Sequence, residues 1–211
     1  MVGWKLRMEI LYFLILIFSI ILHEVAHGYV ADKLGDPTAR YAGRLTLNPI
    51  PHIDLLGSII VPLIAVLSPG GFLFGWAKPV PYNPYNLTRS PRWGELMVAA
   101  AGPGTNFALA ILFALLARAV ADPVFVAICF IGVLVNLWLG LLNLVPIPPL
   151  DGSKVLAGIL PGSLAHGYGE WRMRMEHNPF LGFGLVLVLI LIFGSFFAEI
   201  IYSLARLMAG A

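Results

Sequence analysis

Apolar residues run almost unbroken through four stretches of this 211-residue chain, Ile10–Val30, Trp93–Ala119, Val124–Val145 and Phe180–Leu207. A helix needs about 20 such residues to cross the hydrocarbon of a bilayer, so each stretch is long enough. A fifth, Leu55–Leu67, is shorter and contains Pro62. It is followed by Ser68-Pro69-Gly70-Gly71 and the short apolar piece Phe72–Ala77. A short helix, a Pro-Gly turn and an extended return read as a re-entrant element, tolerated at membrane depth only where protein covers its backbone. The expected fold class is an all-α polytopic membrane protein, with four long transmembrane helices plus a short re-entrant helix/β-hairpin. Five or six crossings are the alternative if Leu55–Ala77 passes right through.

Composition agrees with a membrane setting. The chain is 59% hydrophobic and 11% charged, against about a quarter charged residues in soluble domains. Its length suits one integral-membrane domain over residues 1–211, with a core from about 8 to 160 and a C-terminal span over about 180–207. The 13 Lys and Arg residues are scattered, which speaks against nucleic acid as a partner. Cys129 lies in an apolar run and reads as a small packed hydrophobe, with no second cysteine to pair with.

Basic residues set an expected orientation. With Leu55–Ala77 re-entrant, Lys33, Arg40, Arg44, Lys78, Arg89, Arg92, Lys154, Arg172 and Arg174 share one side, and Lys5, Arg7, Arg118 and Arg206 the other. The nine-to-four excess makes the first side cytoplasmic. A complete fifth crossing would divide the same residues eight to five. Trp4, Trp76, Trp93 and Trp171 fall near span ends, where amphipathic rings anchor.

Candidate chemistry sits inside the first span, at His23-Glu24-Val25-Ala26-His27. Residues four apart on a helix are about 40° apart around its axis, so the two imidazoles share a face. They can hold one metal ion, and Glu24 beside them can take a proton from a water that the metal activates. Three ionisable groups within five residues of a membrane span require a functional reason. A competing reading takes Lys5 and Arg7, the apolar core and the small residues near Ala26 and Gly28 as a secretory signal peptide. Cleavage there would split the motif.

A catalytic zinc site usually has three protein ligands. The candidate third is Asp151, in Asn143-Leu144-Val145-Pro146-Ile147-Pro148-Pro149-Leu150-Asp151-Gly152. Three prolines in four residues must open the third span here. Only the re-entrant arrangement brings Asp151 to the same membrane face as the histidine pair. Asp151 could instead cap the helix-compatible stretch Lys154–Leu160. His52-Ile53-Asp54 reads as a surface or outlying pair, and His166 and His177 as solvated.

These residues resemble the site-2 proteases, intramembrane zinc metalloproteases. The resemblance rests on His23-Glu24-x-x-His27, on Asn143-x-x-Pro146-x-Pro148-x-x-Asp151-Gly152, on Ala101-Gly102-Pro103-Gly104-Thr105-Asn106, and on Phe74–Pro84. It covers about residues 20 to 155 and is similar to the compact prokaryotic branch, with no insertion for a PDZ domain between Ala119 and Val124. It implies one Zn2+ per chain held by His23, His27 and Asp151, Glu24 as general base, and Asn143 as an oxyanion donor. It further implies substrate contacts at Asn106, Phe74, Gly75, Trp76 and Ala77, the last four on an extended edge that pairs with an unwound substrate. Gly102-Pro103-Gly104 also reads as a packing notch between helices.

The expected activity is hydrolysis of peptide bonds in or near transmembrane segments of other membrane proteins. The partners are such a substrate and the lipid bilayer, with homo-oligomerisation left open. The expected location is a prokaryotic plasma membrane, with the active site toward the cytoplasm. The alternatives are a non-catalytic zinc-binding transporter or sensor, and a degenerate family member that binds transmembrane helices without cutting them.

Overall fold

The computed structural model describes residues 2–60 and 76–210. Its helices are α1 (Val2–Lys33), α2 (Thr38–Tyr41), α3 (Gly94–Ala119), α4 (Pro123–Asn143), α5 (Asp151–Ile159), α6 (Gly162–His177) and α7 (Pro179–Ala209). Among the described residues there is no β-strand. Four helical stretches are long and apolar enough to cross a membrane: Lys5–Lys33, Gly94–Ala119, Pro123–Asn143 and Phe180–Ala209. The all-α expectation with four long spans therefore holds. Of the expected re-entrant element, only its ends are described. Leu55–Ile60 forms a single widened helical turn, and the middle, with Phe74 and Gly75, lies outside the described residues.

Local chemistry sets the helix ends. The Asp122 carboxylate accepts the Phe125 N–H at 2.7 Å, and Pro123 occupies the first turn of α4, where a missing N–H costs nothing. α4 stops at Asn143, two residues before the apolar run ends, because Pro146, Pro148 and Pro149 cannot continue it. Arg118, at the end of α3, donates from Nε and Nη2 to the carbonyls of Met208 and Leu207, at 2.6 Å each. It thereby satisfies carbonyls in the last turn of α7, which have no helical donor.

α3 lies at the centre of the bundle and packs against α1, α4, α5 and α7. Its small residues Ala110 and Ala114 let α4 and α7 approach through Val133, Leu137, Ile201 and Ala205. Cys129 is buried with Ala117 and Ala209, as a packed hydrophobe should be. Large apolar side chains such as Ile111, Leu115, Leu191 and Phe196 point outward and are exposed, the inverse of a water-soluble bundle.

Outside the bundle, Asp36 organises the loops. Fully buried, it accepts from the Thr38 backbone and hydroxyl, from Asn83 N–H at 2.6 Å and from Asn86 Nδ2 at 3.0 Å. The bonds from Asn83 and Asn86 fasten residues 83–86 to the end of α1, and the two from Thr38 close the turn after it. Burial alone would raise the Asp36 carboxyl; the hydrogen bonds outweigh it and hold it below the usual carboxylate range.

Candidate metal centre

The seven residues just before that anchor, 76–82, meet α1 through Val80, at Glu24 and Gly28. They bond inward at every second position, as extended chain does. Trp76 N–H donates to the Gly57 carbonyl at 3.0 Å and Lys78 N–H to that of His52 at 2.9 Å. The Ser58 hydroxyl donates to the Trp76 carbonyl and Arg44 Nη2 to that of Lys78. Val80 N–H donates to Glu24 Oε2 at 2.8 Å. Close approach at this point requires glycine at position 28. A Cβ there would lie 2.7 Å from Val80 Cγ1 and 2.9 Å from Ala39 Cβ, well inside van der Waals contact.

The three expected ligand residues converge. His23 and His27, on consecutive turns of α1, bring their Nε2 atoms to 3.0 Å from each other. Asp151, the first residue of α5, places Oδ2 at 3.1 Å from His23 Nε2 and 3.2 Å from His27 Nε2. The N-cap position belongs to Leu150, and the Asp151 carboxylate turns to the histidines instead. Among the described residues this is the only His, Cys, Asp or Glu cluster of three whose donor atoms could share one metal ion.

The other ring nitrogens decide what the three atoms can do. His27 Nδ1 lies 2.7 Å from the Val98 carbonyl, which can only accept, so Nδ1 carries the proton. His23 Nδ1 lies 2.6 Å from Asn106 Oδ1 and likewise donates. Each neutral imidazole then presents an Nε2 lone pair to the other and to a carboxylate. Such a triangle repels itself unless a cation sits among the three, either a metal ion or a second proton on an imidazole.

Zinc fits the donor set. Bonds of about 2.0–2.1 Å in tetrahedral geometry give ligand–ligand edges of about 3.3 Å, and the observed edges run from 3.0 to 3.2 Å. Space for the group is built in at Gly102. A Cβ there would lie 2.5 Å from His23 Nε2, and closer still to His27 Nε2.

The remaining expected site residues lie around this centre. Asn106 is fully buried between His23 and Asn136. Asn143, half-buried at the end of α4, donates from Nδ2 to the Leu139 carbonyl in its own helix. Trp76 is half-buried and stacks on Phe183 of α7, with ring centroids 4.5 Å apart. Ala77 follows it, half-buried. His52, read as surface or outlying, is buried and spends Nε2 on the Thr46 carbonyl, because the loop folds back on itself. His166 is exposed, paired with Glu170, and His177 is exposed as well. Sequence reasoning passed over the Val80 N–H and the Val98 carbonyl, since every residue has such groups. It also passed over Asn136, whose signal was an amide in mid-span, seven residues before Asn143.

A paired His-x-x-x-His with an adjacent Glu and a distant Asp is the donor set of a zinc hydrolase, here in an integral membrane protein. Comparison with known proteins narrows that class. Residues 11–121 match the model of Peptidase family M50. The chain belongs to this family, that of the site-2 proteases. It is 39% identical to "Putative zinc metalloprotease YwhC" of Bacillus subtilis over 184 residues, 82% of this chain and 77% of the relative. It is 30% identical to "Putative zinc metalloprotease Rip2" of Mycolicibacterium smegmatis, over 88% of this chain and 69% of the relative. An archaeal relative, "Zinc metalloprotease MJ0392" of Methanocaldococcus jannaschii, is 27% identical over 92% of this chain and 46% of its own length. No solved structure matches the chain significantly.

Proposed function

We propose that this protein is an intramembrane zinc endopeptidase that hydrolyses peptide bonds in or near transmembrane segments of other membrane proteins. The convergence of His23 Nε2, His27 Nε2 and Asp151 Oδ2 beside Glu24, on a membrane-spanning helix, carries the reading. The family membership and the printed names of the relatives support it.

His23, His27 and Asp151 would hold one zinc ion, which would supply Lewis-acid polarisation of the scissile carbonyl and of a water. Glu24 would take a proton from the attacking water and later pass it to the departing amine. The Val80 N–H engages Oε2 of Glu24, and Oε1 is assigned to the proton. Asn143 is assigned to the oxyanion. Its Nδ2 gives one N–H to Leu139 and carries a second, which can meet negative charge developing on the carbonyl oxygen.

Residues 76–81 are assigned to the substrate, together with Phe74 and Gly75 before them. Positions 76, 78 and 80 bond inward, so by the two-residue period of extended chain the opposite edge carries the Ala77 N–H and the carbonyls of Ala77, Pro79 and Pro81. An edge with one donor and three acceptors suits a peptide that has unwound and supplies N–H groups. Both prolines blunt it against indiscriminate pairing. Basic-residue placement favours a site that faces the cytoplasm, and the likeness to the compact prokaryotic branch favours a prokaryotic plasma membrane.

The test is cleavage, by protein purified in detergent, of a model substrate with one transmembrane span weakened by glycine and proline. Cleavage that stops on chelation, returns with zinc and is absent from Glu24→Gln supports the proposal. Wild-type rates from zinc-loaded Glu24→Gln would falsify the assigned base.

A further inference from the structure

Asn136 lies in the middle of α4, fully buried and outside the candidate ligand set. An amide in an otherwise apolar membrane helix is costly unless each of its groups finds a partner. Here they do. Asn136 Nδ2 donates to the Gly132 carbonyl at 2.9 Å and reaches the Ser19 hydroxyl at 3.0 Å. Its Oδ1 accepts from Asn106 Nδ2 at 3.0 Å. Asn106 Oδ1 in turn faces His23 Nδ1 at 2.6 Å.

The direction of this chain is not arbitrary. The Gly132 carbonyl can only accept, so the NH2 group of Asn136 must face it and its oxygen must face Asn106. Asn106 must then point its NH2 at Asn136 and its oxygen at His23. An oxygen at that position requires a proton on His23 Nδ1, and a neutral imidazole with its proton there has its lone pair on Nε2. The polarity of one backbone carbonyl in α4 thus passes through two amides to the face of His23 that meets His27 and Asp151. Ser19 cannot set this direction, because a hydroxyl both donates and accepts.

We infer that Asn136 is a positioning residue that, through Asn106, fixes the His23 tautomer with its lone pair toward the metal centre. The inference rests on His23 as a metal ligand, and its test separates the two. Without Asn136, the Asn106 amide can turn over and offer N–H to Nδ1, which moves the histidine proton to Nε2 and blocks the metal-facing lone pair. Loss of an orienting partner of this kind typically weakens metal affinity about 10–100-fold.

The experiment uses the full chain in lipid, labelled with 15N-histidine. The His23 signals, assigned by their loss in His23→Gln, are read in metal-free protein at a pH where the imidazole is neutral. Zinc affinity is measured separately by chelator competition. Wild type is expected to show a protonated Nδ1, and Asn136→Leu a substantial share of protonated Nε2 with zinc bound at least about 10-fold more weakly. Should Asn136→Leu not fold, Asn136→Ala makes the same test, because a water in its place has no fixed polarity.

Asn136→Asp keeps an oxygen that accepts from Asn106 whether or not it is ionised. It is expected to retain the wild-type tautomer and zinc affinity even where it unfolds more easily. Ser19→Ala is expected to leave both unchanged. An unchanged tautomer and affinity in Asn136→Leu overturns the inference while leaving the zinc site intact. Equal loss of affinity in Asn136→Asp and Asn136→Leu also overturns it, since polarity would then not be what matters. A wild type with the expected tautomer but no zinc affinity overturns the ligand reading instead.

Discussion

Glu24 and Val80 meet at 2.8 Å across 56 positions of sequence, the side-chain carboxylate accepting the backbone N–H. Pro79 and Pro81 flank Val80 and have no N–H of their own, so Val80 supplies the only backbone donor among these three residues. The contact ties the proposed base to the segment proposed to hold the substrate. It also fixes the carboxylate's rotation on a helix whose next turn, at Gly28, is bare enough for the segment to lie against it.

Glu24→Gln is expected to keep this contact, since the amide oxygen of glutamine accepts as the carboxylate does, but it cannot take a proton. Cleavage should fall by about 10²–10⁴-fold, the usual contribution of a general base. Zinc content and thermal stability should match wild type. Cleavage assays and metal analysis on the same preparation check this, and a loss of zinc in the variant would move Glu24 from base to ligand.

Asp151→Ala leaves two imidazole lone pairs facing each other without a carboxylate. One zinc per chain in wild type should fall sharply, with a larger loss of affinity than the 10–100-fold typical of an outer partner. Folding should be retained, because the N-cap position belongs to Leu150 rather than to Asp151. Stoichiometric zinc in a folded Asp151→Ala protein would exclude Asp151 from the ligand set.

Gly102→Ala places a methyl group where the two Nε2 atoms lie, within 2.5 Å of His23 Nε2. Crowding of this kind typically costs about 1–3 kcal/mol. Because the atoms displaced are the proposed ligand nitrogens, zinc affinity should fall more steeply than stability. Thermal unfolding and chelator competition, measured side by side, separate the effects. A stable variant with normal zinc affinity would show that the helices can shift to accept the methyl group.

Asp36 makes the loop region acid-sensitive. Its folded carboxyl lies below the usual value, so its stabilisation is fully present above the unfolded value of about 3.9 and is lost as pH falls through the lower folded value. Asp36→Asn should be destabilised at neutral pH by on the order of 3 kcal/mol, through lost charge-assisted bonds. Its thermal stability should also fall less than that of wild type between pH 5 and pH 3. Parallel curves for the two proteins across that window would count against the assignment.

Much of the site is legible along the chain. The spacing of His23, Glu24 and His27 fixes a shared helix face, because the α-helical repeat leaves no other choice at four residues' separation. The prolines after Asn143 likewise fix where α4 must end. Asp151 is legible only as a candidate, since the same residue before Gly152-Ser153 also reads as a cap. Its carboxylate could be told from a cap only by where it points.

The membrane setting, the four long helices and the paired histidines can be read along the chain, because all follow from local repeat and composition. Which atoms the histidines face follows only from the packing of distant segments. That packing sets Asp151 Oδ2 beside them, the Val98 carbonyl and the Asn106 oxygen behind them, and Val80 N–H on Glu24. These partners come from distant segments, and all but Asp151 are backbone groups or an amide. A carbonyl has no residue type to announce it, and an amide's polarity is set only by what lies next to it in space.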